Sequence, residues 1–184
     1  MTALWVILGL VVVGVLYYIS LNNTIVSRKT ERENAWADID VQLRLRFDLV
    51  ENLVNTVKGY AKHEKDTLKQ VIEARNMYAS ASSNDVKSKA EADNMLSGTL
   101  KTLFAVAESY PELKADKNFL QLQSELSDIE NKIASARRYF NAATKEYNTL
   151  IQQFPANILF HKVPEEYFEG SEEEKKAPKV KFDD

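Results

Sequence analysis

The chain has 184 residues, with 24 Lys+Arg against 27 Asp+Glu and no cysteine. That length suits one domain with attachments, and the missing thiols exclude disulfides, Cys-based metal sites and Cys nucleophiles. Residues 28–154 are charge-neutral and the net −3 falls in residues 155–184, so the body lacks the basic face that a nucleic-acid partner would want.

Met1 to Ser27 carries no charged side chain, and Ala3–Ile19 is almost wholly apolar. Seventeen to nineteen helical residues reach about 26–28 Å, close to the ~30 Å hydrocarbon core of a bilayer. Trp5 and Tyr17-Tyr18 stand near the two ends, as interfacial aromatics do. A cleaved signal peptide fits poorly, because there is no basic n-region and Tyr-Tyr-Ile-Ser is not a small-residue cleavage site. A helix buried in a soluble core is the third reading. The N-terminal flank has no Lys or Arg, whereas Arg28, Lys29 and Arg32 follow the apolar run. The positive-inside rule then places the body in the cytoplasm.

Neither Pro nor Gly separates Ile19 from Trp36, so the anchor is expected to run into the first bundle helix. Trp36, Ile39, Leu43, Phe47, Val50, Val54, Val57 and Ala61 recur at three- and four-residue spacing, which puts them on one helical stripe. Such a stripe has to be buried against other helices. Gly59 is a softening point near its end. His63 to about Ser80 forms a second helical stretch, with Leu68, Val71 and Ile72. Ser80-Ala-Ser-Ser-Asn-Asp85 is a loop, in which Asn84 or Asp85 can cap the next helix. That helix carries Val86, Ala90, Asp93, Leu96, Leu100, Leu103, Phe104 and Ala107, and stops at Ser109-Tyr110-Pro111.

The last helix is expected to open around Asp116-Lys-Asn118, with Asn118 and Gln121 forming a capping box. Phe119, Leu122, Leu126, Ile129, Ile133, Ala136, Phe140, Ala143, Tyr147, Leu150 and Phe154 then alternate in threes and fours without a break until Pro155. That pattern favours near-antiparallel packing at about +20°. The tail, residues 155–184, loses the period. It contains the apolar knot Ile158, Leu159, Phe160, the aromatic pair Tyr167-Phe168 and an acidic run at Glu172–Glu174. Two readings stand for it: a mostly disordered segment, or one partly docked that lays its aromatics on the bundle.

Several segments together resemble the LemA family of bacterial membrane proteins. They are Ala35-Trp36, Ile39-Asp-Val-Gln-Leu43, Asn52-Leu-Val54, Val57-Lys-Gly-Tyr-Ala61, His63-Glu64, Ala74-Arg75, Tyr110-Pro-Glu-Leu-Lys-Ala115, Asn118-Phe-Leu120, Leu122-Gln-Ser-Glu-Leu126, Tyr139-Phe-Asn141, Tyr147-Asn148 and Phe154-Pro155. Tyr167-Phe-Glu169 and Pro178-Lys-Val180 resemble the family's tail. One departure is Glu51, where the family usually has Pro before Asn-Leu-Val, which removes the reason for a kink there. The resemblance implies a single-pass anchor and an antiparallel four-helix bundle, and no particular reaction.

Reactive constellations are not evident. His63 and His161 lie in separate regions, and neither His-Glu-x-x-His nor an inward Glu-x-x-His pair is present. No catalytic, cofactor or metal residue is therefore assigned. Arg46 and Asp40 fall on the two edges of the first stripe, where snorkelling or ordinary pairing accounts for them. Val41 and Leu45 sit opposite it, on what should be the solvent side. With Tyr167 and Phe168 they form the candidate interaction surface.

The expected fold is all-α: an N-terminal transmembrane helix (residues 1–27) followed by an antiparallel up-and-down four-helix bundle (28–154) and an acidic, largely irregular tail (155–184). The expected protein is non-enzymatic and sits in the cell membrane, contacting lipid through residues 3–21. Its bundle faces the cytoplasm and acts as an envelope scaffold or assembly factor for an unknown protein partner, with self-association a further option. The alternative is a lipid-contacting or membrane-remodelling homo-oligomer.

Overall fold

The computed structural model describes residues 1–61, 63–82 and 85–170, and among these every regular element is an α-helix. Helix α1 (Thr2–Tyr60) is followed by α2 (Lys65–Ser80), α3 (Val86–Ala107), the short α4 (Pro111–Ala115), α5 (Lys117–Gln152) and the one-turn α6 (Ala156–Leu159).

Helix α1 is uninterrupted over 59 residues, about 88 Å at 1.5 Å per residue. No Gly or Pro stands between Gly14 and Gly59 to break it. At Glu51 the helix continues, and that carboxylate instead receives Arg75 Nη2 of α2 at 2.6 Å. The first twenty residues are all exposed. Within them lies the one stretch, among the described residues, long and apolar enough to cross a membrane, and none of its most apolar window is buried. This rules against its being a core helix. Burial begins at Leu21 and is complete at Ile25, so the packed body reaches slightly above the Ser27–Arg28 boundary expected from charge. Trp36 and Phe47 are half-buried, and the other members of the α1 stripe are buried as their spacing requires.

The helix starts follow local chemistry. Asp85 caps α3, its carboxylate accepting from the Ser88 N–H and hydroxyl at 2.9 and 2.6 Å. Helix α5 departs from the expected cap: Asp116, not Asn118, is the N-cap, with Oδ1 accepting from the Phe119 N–H at 2.9 Å. Asp116 is preferred because the Leu113 turn ends there and the Tyr60 hydroxyl donates to its other oxygen at 2.8 Å. Pro111 ends nothing by itself; α3 has already stopped at Ala107, and Pro111 occupies the first turn of α4, where its missing N–H is harmless. Helix α4 inserts Leu113 fully into the end of the body, and the Tyr110 hydroxyl ties to Glu64 at 2.9 Å.

The core is layered along α1. Far from the N-terminus lie Val50, Leu53, Val57, Val71, Leu100, Leu103, Leu113 and Phe119. The middle layer holds Ile39, Leu43, Tyr78, Ala90, Ile133, Phe140 and Phe168. The layer nearest the exposed end of α1 holds Ile25, Tyr147, Ile151 and Ala156, backed by Leu21 and Phe160. The α5 stripe enters the core as expected except at its end. Phe154 is 80% exposed, because α5 closes at Gln152 and Ile151 takes the last inward position.

Beyond α6, His161 adopts a left-handed φ of 43°, and the chain turns back along α5 in extended form. Residues 165–169 of the tail are thus docked. The acidic run at 172–174, with the rest of 171–184, lies outside the described residues.

Candidate functional site

Two arrangements of polar side chains stand out from the apolar layers. The first is ionic. Arg46 of α1 is only 1% exposed and lies among three helices. Its guanidinium pairs with Asp93 of α3 and Glu130 of α5, and donates to the Ser97 hydroxyl at 2.9 Å and the Asp93 carbonyl at 3.2 Å. Arg137 of α5 approaches the second Asp93 oxygen at 3.6 Å. Burial pushes the Arg46 pKa down and Glu130 opposes that; an arginine starts so high that it stays charged. Nearly two turns toward the N-terminus of α1, the Tyr78 hydroxyl donates to Asp40 at 3.3 Å, and the Lys89 ammonium lies 3.8 Å from Asp40 and 3.7 Å from the Tyr78 ring centre. Burial raises the Tyr78 phenol, with Asp40 adding to the effect, and lowers the Lys89 ammonium.

These charges compensate one another across helices. A buried ion network of this kind adds little net stability compared with apolar packing, but it penalises wrong registers, which would strand a charge. Ser97 and Glu130 also line an open groove between α3 and α5, with Lys101, Gln123 and Asn131. Among the described residues, no three His, Cys, Asp or Glu side chains converge as a metal site would need.

The second arrangement holds the returning tail. Asn148 donates to the Glu165 carbonyl at 2.9 Å and accepts from the Glu165 N–H at 2.8 Å. Asn141 does the same for Phe168, at 3.0 and 2.9 Å. The spacing explains the match: two helical turns, seven residues, advance about 10.5 Å, and three extended residues advance about 10 Å. Each amide thus satisfies both backbone polar groups of one residue, as a sheet neighbour would. Arg32 adds a donor to the Glu166 carbonyl at 3.1 Å, an ion pair to Glu165 at 3.3 Å and a bond to the buried Thr144 hydroxyl at 3.2 Å. Asn94 of α3 reaches the Glu169 carbonyl at 3.2 Å. The clasp delivers Phe168 into the core, 1% exposed, 6.2 Å from the Trp36 ring and with the Arg137 guanidinium 5.4 Å from its own ring centre.

The sequence profile of the LemA family matches residues 35–182. The chain belongs to the LemA family. It is similar to Protein LemA of Metamycoplasma hominis, 25% identical over 164 residues, which cover 86% of this chain and 73% of that one. It is also similar to Magnetosome protein MamQ of Magnetospirillum gryphiswaldense, 34% identical over 68 residues. Magnetosome protein MamQ 2 of Paramagnetospirillum magneticum matches at the same identity and length. In both cases the match covers 37% of this chain and 25% of the relative, so only a quarter of each magnetosome protein is represented. Family and relatives suit a membrane-associated protein.

Within this LemA-family chain the candidate surface does not converge. Val41 and Leu45 are exposed on α1 opposite its buried stripe, and Val41 borders a shallow groove with Asn131, Lys132 and Ser135 of α5. Tyr167 is exposed too, but on the clasped segment beside Asn141 and Asn148. At 100° per residue those two sets are centred roughly 140° apart around α5, so they do not form one surface. Phe168 has to be corrected: it is a core residue, because strict alternation in an extended segment turns it inward as Tyr167 turns outward. The clasp itself escapes a reading based on helical period. Its signals are Asn141 and Asn148, polar residues spaced by seven beside the α5 stripe.

Proposed function

We propose that this chain is a single-pass membrane protein whose body is an antiparallel four-helix bundle on the cytoplasmic face. In this reading it is non-enzymatic and acts as an envelope scaffold or assembly factor through protein contacts. The observation that carries the anchor is α1 itself. One helix begins apolar and wholly exposed and ends as a buried element of the body. The bundle reading is supported by residue pairs whose numbers rise on one helix as they fall on the next: Arg28–Glu146, Trp36–Phe140, Arg46–Glu130 and Tyr60–Asp116 between α1 and α5 or its cap. Glu51–Arg75 and Asp40–Tyr78 run the same way between α1 and α2. The cytoplasmic side is favoured by Arg28, Lys29 and Arg32 directly after the apolar run.

The contact surface in this reading is Val41 and Leu45. A photo-crosslinker placed at Val41 of the full-length protein in native membranes should give a discrete adduct with another polypeptide, and one at the buried Ile133 should not. Equal labelling at both, or none at Val41, would remove this face as the contact. Alanine at both positions should change stability by within about ±0.5 kcal/mol each. A reporter fused after Asp184 should read cytoplasm, and an active periplasmic phosphatase fusion there would reverse the orientation.

A further inference from the structure

Outside the N-terminal stretch, Phe154 and Val163 are the most exposed large apolar side chains among the described residues, at 80% and 79%, followed by Ile158 at 59%. Leu159 is 44% exposed. All four lie in or beside α6. The same region is unusual in charge. Tyr147 to Phe160 contains no Asp, Glu, Lys or Arg, and no other charge-free run after Ser27 is as long. Glu146 and His161-Lys162 bracket it.

The position of this patch is fixed by packing. The Phe160 ring stacks on Tyr18 of α1, with centroids 5.0 Å apart and planes 21° apart. Ala156 and Phe160 share a layer with Leu21 and Ile25. From Thr2, a hydrocarbon core of ~30 Å is traversed in about twenty helical residues, which ends near Leu21. A group stacked on Tyr18 therefore lies at the depth where acyl chains meet headgroups.

We propose that α6 is a second membrane contact: Phe154, Ile158 and Leu159 insert into the bilayer interface beside the point where α1 leaves it. This rests on the reading of α1 as a membrane span. The occupant is lipid and not a second copy of the chain, because Phe160 joins the patch to α1 at Tyr18, where Tyr18 and Ile19 are exposed on the surface that the span reading gives to lipid. Apolar side chains at that depth gain by leaving water, and a segment without charged side chains avoids the large penalty of burying a charge there. Lacking cationic side chains, the patch needs no acidic headgroup. Its consequence is mechanical. A body held by α1 alone could tilt freely, whereas one held at α1 and at α6 keeps a fixed face toward the membrane.

The chain has no cysteine, so single spin labels can be placed in the full-length protein reconstituted in neutral phosphatidylcholine vesicles. Labels go on Val11→Cys in the span, Ile158→Cys in the patch and Glu73→Cys on the distant end of the body. Collision with oxygen, which concentrates in lipid, is compared with collision with a water-soluble nickel complex. The expected result is a deep Val11 label, an Ile158 label favouring oxygen at least several-fold over its value at Glu73, and a Glu73 label in water. These values should not change at high salt. A deep Val11 label with a watery Ile158 label would overturn the second contact alone. A watery Val11 label would overturn the span reading and this inference with it. An Ile158 label shielded from both reagents would mean a protein covers the patch, and would also overturn it. Leu159→Cys repeats the reading should Ile158→Cys disturb α6.

Discussion

Phe168→Ala separates the docked tail from the body that receives it. Ordering the five residues Glu165 to Glu169 costs about 1–2 kcal/mol each in backbone entropy, roughly 5–10 in all. Against this stand about 1.5–3 kcal/mol for burying the Phe168 ring and about 1–2 for its contacts with Trp36 and Arg137. Six hydrogen bonds to the segment's backbone, from Arg32, Asn94, Asn141 and Asn148, add roughly 1 kcal/mol each. The two sides nearly cancel, so docking is favourable by a few kcal/mol at most. Losing the ring removes about 3 kcal/mol, enough to shift the segment mostly to the undocked state. The cost to the rest of the protein stops there, because the helices need not unfold when the tail lets go. In a Trp5→Phe background Trp36 is the sole tryptophan. In detergent-solubilised full-length protein, Phe168→Ala should shift its emission to the red. Tryptic cleavage after Lys162 should quicken at least tenfold, while the melting temperature falls by only a few degrees. Unchanged cleavage would show that Phe168 does not hold the segment. A melting temperature lowered as far as by a central core truncation would show that the segment and the helices form one cooperative unit.

Phe140→Ala supplies that central truncation: the ring is fully buried against Trp36, 5.5 Å between centroids, and under the Arg32 guanidinium at 4.8 Å, so thermal unfolding should report a loss of roughly 3–5 kcal/mol. Arg46→Met should destabilise strongly, by about 3–5 kcal/mol, because it leaves Asp93 buried beside Arg137 alone; Arg46→Met with Asp93→Leu should recover part of that loss in denaturant titration, and simple additivity would refute a direct pairing. The Phe119 N–H, then the Tyr60 hydroxyl, hold the Asp116 carboxyl below its ordinary pKa. Its contribution is complete above about pH 4 and is lost as pH falls through the lowered folded value. Asp116→Asn should therefore lower the melting temperature more at pH 7 than at pH 3, and an equal drop at both would refute the assignment.

How much was legible depended on whether a residue's partner lies on its own helix face. The stripes of α1, α3 and α5 were readable because a buried face repeats every three or four residues whatever it packs against. Glu51 was readable as the absence of a breaker. Arg46 and Asp93 were visible only as polar residues at or near core positions, since each looks like ordinary solvated charge until a third helix brings Glu130 and Arg137. The cap of α5 was misplaced by two residues because Asn118 and Gln121 fit a local rule, while Asp116 wins through Tyr60, more than fifty positions away. The tail misled most. Phe168 belongs to the core because three extended residues match two helical turns at Asn141 and Asn148, and no single-period reading pairs an extended segment with a helix. Phe154 erred the other way: it continues the spacing of α5 past the residue where the helix stops.

The continuity of α1 ties the two candidate contact faces to each other. Tyr18, Leu21 and Ile25, which carry α6, lie about 160–220° around the helix from Val41 at 100° per residue, and Leu45 lies about 40° from Val41. The face of α1 that holds α6 and the face that exposes Val41 and Leu45 are therefore roughly opposite. No Gly or Pro between them lets the helix untwist this relation. A partner bound at Val41 and Leu45 would approach from the side away from α6, without displacing it from the membrane. Such a partner would lie alongside α1, within about 30–36 Å of Leu21 along the axis, a distance that a membrane protein with a short cytoplasmic helix can reach. Crosslinking at Val41 should then survive Ile158→Asp, which removes the apolar seat of α6 only. Loss of both together would mean that the two faces meet the same partner.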